Sequence, residues 1–355
     1  MKKLGVGVVG CGAIAPAHAQ AAHELEETKL IAVCDVVEEK ARALAERFGV
    51  DWYTDYDKML ERDDIDVVSI CVPSGMHAEY GIKAAKAKKH IICEKPLEVT
   101  LEKCDALIRA ARENGVKLGG IFQRRFMDDI KLMKKLVEEG RLGKIALADM
   151  DMKIYRSQAY YDSGEWRGTW ALDGGGCLMN QGVHFVDSLL WIMGPVEWVE
   201  AEIGTLAHNI EVEDTAVAIL KFKNGALGAI KATTSAYLDL GTRLSVCGDK
   251  GSVLWDETSG PGQITFLKIE GEDEKKILEN LKKEIETTET SPIPFTSGPG
   301  WLKLHLLNFR DIIRAIIEDR EPLITGEEAR KAVELILAIY ESAKTNKRVY
   351  LPLER

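Results

Sequence analysis

The stretch Val6–Ala15, VGVVGCGAIA, decides how the first part of this chain folds. An apolar run typical of a buried strand leads into the pattern Gly-x-Gly-x-x-Ala, and a helical pattern follows. The first glycine permits a tight turn, the second lets the backbone approach a pyrophosphate at the helix N-terminus, and the small last residue allows close helix–strand packing. We therefore predict a dinucleotide-binding turn. The residues placed against the dinucleotide are Gly10, Gly12, Ala13 and Ile14.

An acidic residue further along supports this interpretation. Asp35 ends the second apolar run, 23 residues after Gly12. At about this distance an acid accepts hydrogen bonds from the 2′-hydroxyl of a ribose and would repel a 2′-phosphate. Val36 and Val37 supply no cation for such a phosphate, so we predict NAD and not NADP as the cofactor. A turn without a ligand would also explain the glycines, but it leaves the position of Asp35 unexplained.

Around this motif the chain alternates short apolar runs with amphipathic stretches up to residue 122. Strands separated by helices in this way form a parallel sheet with helices on both faces. We predict an α/β fold, a Rossmann-type doubly wound parallel sheet, over residues 1–122. The predicted strands are Leu4–Val9, Leu30–Asp35, Asp66–Val72, His90–Glu94 and Val116–Phe122.

Residues 123–355 follow a different pattern. Between Ile145 and Ile269 they contain mostly strand patterns and one helix, Asn180–Met193, which predicts an α+β domain with an open-faced, mostly antiparallel sheet and helices on one face. Glu270–Gly300 is polar and charged and is predicted to be a surface excursion before two final helices. We assign substrate binding and oligomerisation to this domain, because symmetric pairing in a homodimer or homotetramer would bury the open sheet face.

Composition excludes several classes of protein. The chain of 355 residues is 46% hydrophobic with a net charge of −10, which gives no electrostatic footprint for nucleic-acid binding. No apolar run approaches the ~18 residues of a membrane span. The seven cysteines are odd in number and form no Cys-x-x-Cys pair, which favours a reducing cytoplasm. Without a His-Glu-x-x-His motif or a cysteine cluster, we expect no metal.

The segment His90–Pro96, HIICEKP, is a strand pattern that ends in Glu-Lys-Pro. Ligands of doubly wound sheets bind beyond the carboxyl ends of the strands. Glu94 and Lys95 are therefore predicted at the cofactor, together with Pro73 and His77, which follow the preceding strand. A surface position for Lys95 and a packing role for His77 are the alternatives.

The segment Asn180–Asp187, NQGVHFVD, lies in the predicted helix of the second domain. Asn180, His184 and Asp187 share one helical stripe. An imidazole can take or return an alcohol proton near neutral pH, and Asp187 would fix its tautomer. A structural histidine is the alternative.

Aromatic residues and arginines alternate in two segments that precede the glycine run 174–176. An aromatic ring stacks on a sugar face, and a guanidinium forks a carboxylate or a phosphate. A loop packed by its own aromatic side chains is the alternative. Either Arg124 or Arg125 is also predicted to face the substrate, and the sequence does not decide between them. The residues assigned to the substrate here are Arg124, Arg156, Tyr160, Trp166 and Arg167.

Taken together, the chain resembles the Gfo/Idh/MocA oxidoreductase family over essentially its whole length. The resemblance is carried by the Gly-x-Gly-x-x-Ala opening, Asp35, Glu94-Lys95-Pro96, and His184 three residues before Asp187. It implies that Lys95 binds and polarises a reacting hydroxyl, that His184 acts as acid and base, and that the Lys95–Pro96 peptide is often cis. It also adds His305 as a substrate contact.

The chain departs from the family pattern at one position. Many members carry Asp four residues before the histidine, where this chain has Asn180. An amide cannot take a proton, so Asn180 is expected to position the substrate and to leave proton transfer to His184. The departure weakens a likeness to inositol dehydrogenases. In this respect the chain is similar to family branches that act on other sugars, including nucleotide-linked sugar acids.

The predicted function is that of an NAD-dependent oxidoreductase, which transfers a hydride between nicotinamide and a secondary alcohol of a sugar or sugar derivative. A first alternative is a glycosidase-type enzyme that retains NAD and oxidises its sugar transiently. Turnover that needs no added NAD would distinguish it. A second alternative is a non-catalytic regulator that senses a sugar or NAD. The presence of both Lys95 and His184 argues against this alternative.

Overall fold

The computed structural model describes residues 3–258, 260, 262–288 and 300–353. Within this part the chain forms two compact units. The first contains residues 3–123, 171–174 and 300–333, and the second contains residues 124–170, 175–288 and 334–353. The first division falls one residue from the predicted domain boundary at 122. Residues 171–174 and 300–333 also belong to the first unit. This follows from contacts between distant parts of the chain, which the local sequence pattern does not indicate.

A parallel sheet with its helices makes up most of the first unit. The strands are β1 Leu4–Val9, β2 Thr28–Cys34, β3 Asp51–Tyr53, β4 Val67–Ile70, β5 His90–Cys93 and β6 Leu118–Gly120. The helices are α1 Ala15–Glu24, α2 Glu38–Phe48, α3 Tyr56–Leu60, α4 His77–Lys86 and α5 Leu101–Asn114. The strand order is β3-β2-β1-β4-β5-β6, with every pair parallel. The predicted doubly wound sheet is confirmed.

Local chemistry explains where these elements begin and end. The centre of β1 is fully buried, with Val6 and Val8 at 0% exposure, as expected for a strand covered on both faces. Helix α5 begins where the hydroxyl of Thr100 accepts from the Lys103 N–H at 3.3 Å, and it ends at Gly115 in the left-handed conformation. Strand β3 has no signal in the sequence, because its short run is largely exposed.

The second unit is built on another sheet. Its elements up to residue 288 are α6 Asp128–Glu138, β7 Ile145–Lys153, α7 Gln158–Asp162, α8 Val183–Met193, β8 Val196–Gly204, β9 Thr215–Phe222, β10 Leu227–Thr233, β11 Gly241–Gly248, β12 Gly251–Asp256, β13 Gln263–Ile269 and α9 Glu274–Thr288. The chain continues with α10 Gly300–Ile317, α11 Gly326–Thr345 and β14 Val349–Tyr350. The strand order is β13-β12-β11-β7-β10-β9-β8-β14. Only the pair β7–β10 is parallel among the described strands of this sheet, so the mostly antiparallel prediction is confirmed.

The two faces of this sheet differ in burial. On one face Ala148, Met150 and Met152 of β7 are fully buried, and the apolar helix α8 packs against β7. On the other face Val217 and Ile219 of β9 are 51% and 52% exposed. The sheet is therefore open on one side, as predicted.

Two sequence expectations differ from the structure. The predicted helix Asn180–Met193 starts earlier, as a π-helix over Cys177–Gly182 that continues into α8. The polar stretch Glu270–Gly300, predicted to be a surface excursion, contains the helix α9, whose apolar Ile277 is buried. Residues 289–299 of that stretch lie outside the described residues.

Over the part that the structure describes, no helix has both the length and the apolar character needed to cross a bilayer.

Candidate active site

The turn after β1 has the shape that its glycines predict. Gly10 has a φ of +86°, and a Cβ at this position would lie 2.6 Å from the backbone of Cys71, so only glycine fits. A Cβ on Gly12 would meet no atom within 4 Å. No side chain caps the N-terminus of α1 among the described residues. The turn thus presents open space beside uncapped backbone N–H groups, a ready site for a phosphate.

Asp35 is joined to this turn in space. One carboxylate oxygen accepts from the backbone N–H of Cys11 at 2.7 Å, and the other accepts from that of Val37 at 2.8 Å. Because a carboxylate oxygen has two lone pairs, each can still accept from a hydroxyl. Burial, helped by the charge of Asp35, raises the pKa of the Cys11 thiol to about 12, which makes this cysteine unreactive.

The carboxylate of Glu94 anchors the backbone beneath Lys95. Its Oε1 atom lies 2.8 Å from Nε2 of His18 and 3.4 Å from Nε2 of His305, and its Oε2 accepts from the Lys95 N–H at 3.0 Å. Burial alone would raise the pKa of Glu94, but the two histidines outweigh it and hold that pKa well below its usual range. Nδ1 of His18 reaches Oγ of Ser69 at 2.7 Å, which extends the network to β4.

This network was not apparent from the sequence. Its side chains are buried, with His18 at 1% and His305 at 5% exposure. His18 and His305 are 287 residues apart in the sequence. No local spacing therefore indicates that they contact the same carboxylate. Glu94 was predicted to contact the cofactor and His305 the substrate. In the structure these two side chains contact each other.

The peptide after Lys95 is held by His77. Its Nδ1 lies 2.8 Å from the carbonyl oxygen of Pro96, and its Nε2 lies 3.0 Å from that of Val72, the residue before Pro73. The Lys95–Pro96 peptide is cis, in agreement with what the family resemblance implies. His77 therefore connects the ends of β4 and β5 through backbone oxygens.

In the second unit, Asp187 forms a buried ion pair with Arg125. The guanidinium donates from Nε to Oδ2 at 2.9 Å and from Nη2 to Oδ1 at 2.6 Å, and both side chains are at most 2% exposed. Such a two-point contact fixes the start of α6 against α8, which carries His184. Arg125 is thus held in an ion pair within the protein.

Arg124 is also committed to partners within this unit. Its Nη1 donates to Glu257 at 3.0 Å, and its guanidinium carbon lies 3.9 Å from the ring centre of Phe185. Arg124, which the sequence assigns to the substrate, is therefore in contact with Glu257 and Phe185 of the protein itself.

Glu213 is a buried residue that sequence reasoning missed. Its carboxylate accepts from the N–H groups of Gly176 and Leu178 at 2.8 and 2.9 Å and from the hydroxyl of Tyr340 at 2.8 Å. A Cβ on Gly176 would lie 1.7 Å from the carbonyl oxygen of Glu213. Gly176 therefore allows the backbone to pack closely onto Glu213. Through these bonds Glu213 fixes the π-helix that contains Asn180 and leads into α8.

The buried carboxylate should make stability depend on pH. Burial, against the three donors, raises the pKa of Glu213 to about 7 from an ordinary 4.5. A raised pKa means that the folded state favours the protonated form of Glu213. The resulting stabilisation of the fold is therefore complete below pH 4.5 and is lost as the pH rises through 7. We expect this group to remove about 3 kcal/mol from the free energy of unfolding between pH 4.5 and 8.

Urea unfolding of the native protein and of Glu213→Gln, at pH 5 and pH 8, measures this contribution. The variant should lack that part of the pH dependence. Glu211→Gln, which alters an exposed carboxylate of the same loop, is the control and should behave like the native protein. An identical pH dependence in all three proteins would contradict the prediction.

The aromatic and arginine residues assigned to the substrate come together around Tyr160. The guanidinium carbons of Arg156 and Arg167 lie 5.4 and 4.4 Å from the centre of its ring. Arg167 also lies 4.5 Å from the ring of Trp166. The four residues form one cluster in the second unit.

The fold and these sites define a class of protein. A parallel sheet of this strand order, with an open glycine turn and an acid at the end of β2, is the architecture of an NAD-dependent oxidoreductase. The chain belongs to the Gfo/Idh/MocA oxidoreductase family. A family model described as the NAD-binding Rossmann fold matches residues 4–121, and one described as the C-terminal alpha/beta domain matches residues 134–351.

Individual relatives cover nearly the whole chain. It is 31% identical to myo-inositol 2-dehydrogenase of Thermotoga maritima, over 86% of this chain and 94% of that protein. It is similar to the WlbA dehydrogenase of Bordetella pertussis, solved with NADH and UDP-GlcNAcA, at 33% identity and a TM-score of 0.87, covering 99% and 100% of the two chains. The WlbA dehydrogenase of Chromobacterium violaceum, solved with the same ligands, is 32% identical with a TM-score of 0.87, covering 100% of this chain and 98% of that one. The predicted cofactor, NAD, agrees with the family model.

Proposed function

We propose that this protein is an NAD-dependent dehydrogenase that acts on a secondary alcohol of a sugar, with nucleotide-linked sugar acids as the favoured substrate class. The observation that carries the proposal is the anchoring of Lys95, by the buried Glu94, at the carboxyl edge of the NAD-binding sheet. The relatives named above support it, since one is a myo-inositol 2-dehydrogenase by name and the two WlbA dehydrogenases were solved with NADH and UDP-GlcNAcA.

The first unit fits NAD. The space over Gly12 and the uncapped start of α1 would take the pyrophosphate, and Asp35 would hold the adenosine ribose. Pro73 follows β4 at the same edge of the sheet as this turn. When bound, NAD supplies the acceptor or donor of the hydride.

Lys95 and His184 would then perform the remaining chemistry. The ammonium group of Lys95 binds the reacting hydroxyl and stabilises negative charge that develops on its oxygen. His184 takes the hydroxyl proton during oxidation and returns it during reduction. Asn180 donates a hydrogen bond to the substrate but carries no proton in the reaction.

Asp35 should set the preference for NAD. Asp35→Asn removes the charge that repels a 2′-phosphate and weakens the acceptor for the ribose hydroxyl. We expect the ratio of kcat/KM for NAD to that for NADP to fall at least tenfold, since a charged hydrogen bond contributes about 1.5–3 kcal/mol. Steady-state kinetics with both cofactors measures the ratio.

The control for this experiment is Asp55→Asn, which removes an exposed carboxylate at the start of α3 in the same unit. It should leave the cofactor ratio unchanged. Comparable kcat/KM for NAD and NADP in the native protein would contradict the assigned role of Asp35.

One experiment tests the overall function. The purified protein is denatured, and released small molecules are identified by mass spectrometry. The native protein is then assayed at the NADH absorbance with a panel of sugars and UDP-sugars. NAD-dependent oxidation of any of them supports the proposal. Stoichiometric retained NAD with turnover that needs no added NAD would instead favour the glycosidase-type alternative, and no turnover with any sugar would contradict the dehydrogenase.

We also propose that the open face of the second sheet joins copies of this chain. Register places Ile219, Ala229, Asp149, Ser245, Leu254 and Phe266 in one row across that face. Ile219 and Phe266 are 52% and 48% exposed, so pairing of two such faces would bury apolar surface in a homodimer or a homotetramer.

Light scattering at micromolar concentration measures this association. Ile219→Glu should raise the dissociation constant of the oligomer at least tenfold, because it would bury an unpaired charge. Lys347→Glu, an exposed change beyond α11, is the control and should leave the oligomer intact. A native protein that is monomeric under these conditions would overturn the proposal.

The cysteines support a cytoplasmic location, which we propose from their chemistry. All seven are free thiols in the structure, the state that a reducing compartment maintains. Five of them are buried, so they serve as core residues.

A further inference from the structure

We infer that Arg156, Tyr160 and Arg167 form a subsite for an anionic group on the substrate. The inference rests on the proposed function, because it assumes a sugar substrate near His184. It specifies the chemistry that this sugar must carry, namely a carboxylate or a phosphate.

The first observation is the placement of two positive charges. Both guanidinium groups lie within 5.4 Å of the centre of the Tyr160 ring. Like charges repel, so the repulsion between two arginines on one ring would be relieved by an anionic ligand. Cation–π contact with Tyr160 offsets part of that repulsion.

The second observation is the kind of partner that these arginines have. Arg156 donates from Nη1 to the backbone oxygen of Tyr155 at 2.8 Å, and Arg167 donates from Nη1 to the Tyr160 hydroxyl at 2.7 Å. Over the described residues neither is paired with a carboxylate. Each guanidinium has five N–H donors in a fork that suits carboxylate or phosphate, so most of these donors remain for a ligand.

Arginines elsewhere in the second unit behave differently. Arg125 is neutralised by Asp187 and Arg124 by Glu257, in direct ion pairs of 2.6 and 3.0 Å. Among the described residues, Arg156 and Arg167 therefore differ from Arg124 and Arg125 in having no carboxylate partner.

The third observation concerns the hydroxyl of Tyr160. It receives hydrogen bonds from Nη1 of Arg167 and from Nε2 of Gln181, the latter at 3.2 Å. Two donors on the phenol oxygen leave its own O–H to point toward an acceptor. Oε1 of Gln181 is buried and has no hydrogen-bond partner among the described residues. The cluster thus offers donors for an anion.

The loop that carries the arginines is fixed in place. The N–H of Arg156 donates to the carbonyl of Thr234 at 2.8 Å, and the carbonyl of Arg156 lies 2.7 Å from Nε2 of His208. Gly168 has a φ of +67°, and a Cβ there would lie 2.9 Å from Ile210. Such a loop would not need to be ordered by the ligand, which favours binding.

Gln181 connects this subsite with the proposed base. It contacts Tyr160 and precedes His184 by three residues on the helical segment that becomes α8. Three residues of helix rise about 4.5 Å, which is comparable to the width of a sugar ring. In this proposal, one sugar places its anionic group at Tyr160 and its hydroxyl at His184.

Direct binding measures the subsite without relying on turnover. Calorimetry on the NADH-loaded protein would use three probes: UDP-GlcNAcA carries a carboxylate and a diphosphate, UDP-GlcNAc carries only the diphosphate, and glucuronate carries only the carboxylate. Arg167→Gln and Arg156→Gln should each weaken binding of UDP-GlcNAcA at least tenfold. The affinity for NADH should stay unchanged, which shows that the variants are folded.

The other two probes identify the anion. Weaker glucuronate binding, with UDP-GlcNAc unaffected, assigns the subsite to the carboxylate, and the reverse assigns it to the diphosphate. Arg243→Gln, on an exposed arginine of β11, is the matched control and should bind all three like the native protein.

Two outcomes would overturn the subsite. One is unchanged affinity for UDP-GlcNAcA in both arginine variants, and the other is failure of the native protein to bind any probe. Oxidation of sugars by the native protein is measured separately, so failure of the proposed function would appear as bound probe without NADH formation.

Discussion

His184→Gln should lower kcat for sugar oxidation by about 10²–10⁴-fold, the range that a positioned proton acceptor contributes. The amide of glutamine can hydrogen-bond to the substrate but cannot take its proton. The affinity for NADH should not change, because the cofactor turn belongs to the first unit, whereas His184 lies on α8 of the second. Steady-state kinetics and NADH titration together separate the two effects.

Lys95→Met is the companion change and should cause a loss of similar size, since it removes the charge that stabilises the developing alkoxide. His23→Gln, on an exposed histidine of α1, is the control for a histidine substitution and should retain full activity. A fully active His184→Gln enzyme would remove His184 from the mechanism.

The buried Arg125–Asp187 pair gives the second large expected effect, this time on stability. Arg125→Leu would leave the carboxylate of Asp187 at 1% exposure without its two-point partner. Breaking a buried pair on one side costs about 3–5 kcal/mol, because an uncompensated charge stays buried. We expect the free energy of unfolding, measured by urea denaturation, to fall by this amount.

Two further variants make the measurement specific. The double variant Arg125→Leu with Asp187→Leu should lose much less, since it leaves no buried charge behind. Arg243→Leu breaks an ion pair with Asp256 in which the arginine is 51% exposed, and it should cost less than about 1 kcal/mol. Equal losses for the single and double variants would show that the charge of Asp187 is not the cause.

Local sequence patterns were sufficient for the elements and for the nucleotide turn. The sequence pattern predicted β1 with the bounds that the structure has, because a short apolar run before a glycine turn is typical of a buried strand. The constraint on Gly10 is equally local, since a turn of positive φ admits little besides glycine. Asp35 was predicted because the strand that it follows ends at the same sheet edge as the turn.

Contacts between distant residues could not be predicted in this way. Glu213 has no motif around it, yet three donors from two other segments converge on its carboxylate. The choice between Arg124 and Arg125 depended on which side of a short turn faces Asp187, and adjacent residues of one type carry no such information. His18 and His305 meet only because α1 and α10 pack together.

The sequence by itself determined the class of fold, the position of the NAD turn and the candidates for proton transfer, because these depend on residue type, period and short spacing. The tertiary structure alone decided which side chains anchor others and which remain to contact a ligand. Arg125 and Arg167 show the difference, since both are arginines in sequence. Asp187 neutralises Arg125, while Arg167 lies on Tyr160 with no carboxylate partner among the described residues. The physical reason is that charge compensation depends on distance in space, which chain folding sets and local sequence does not.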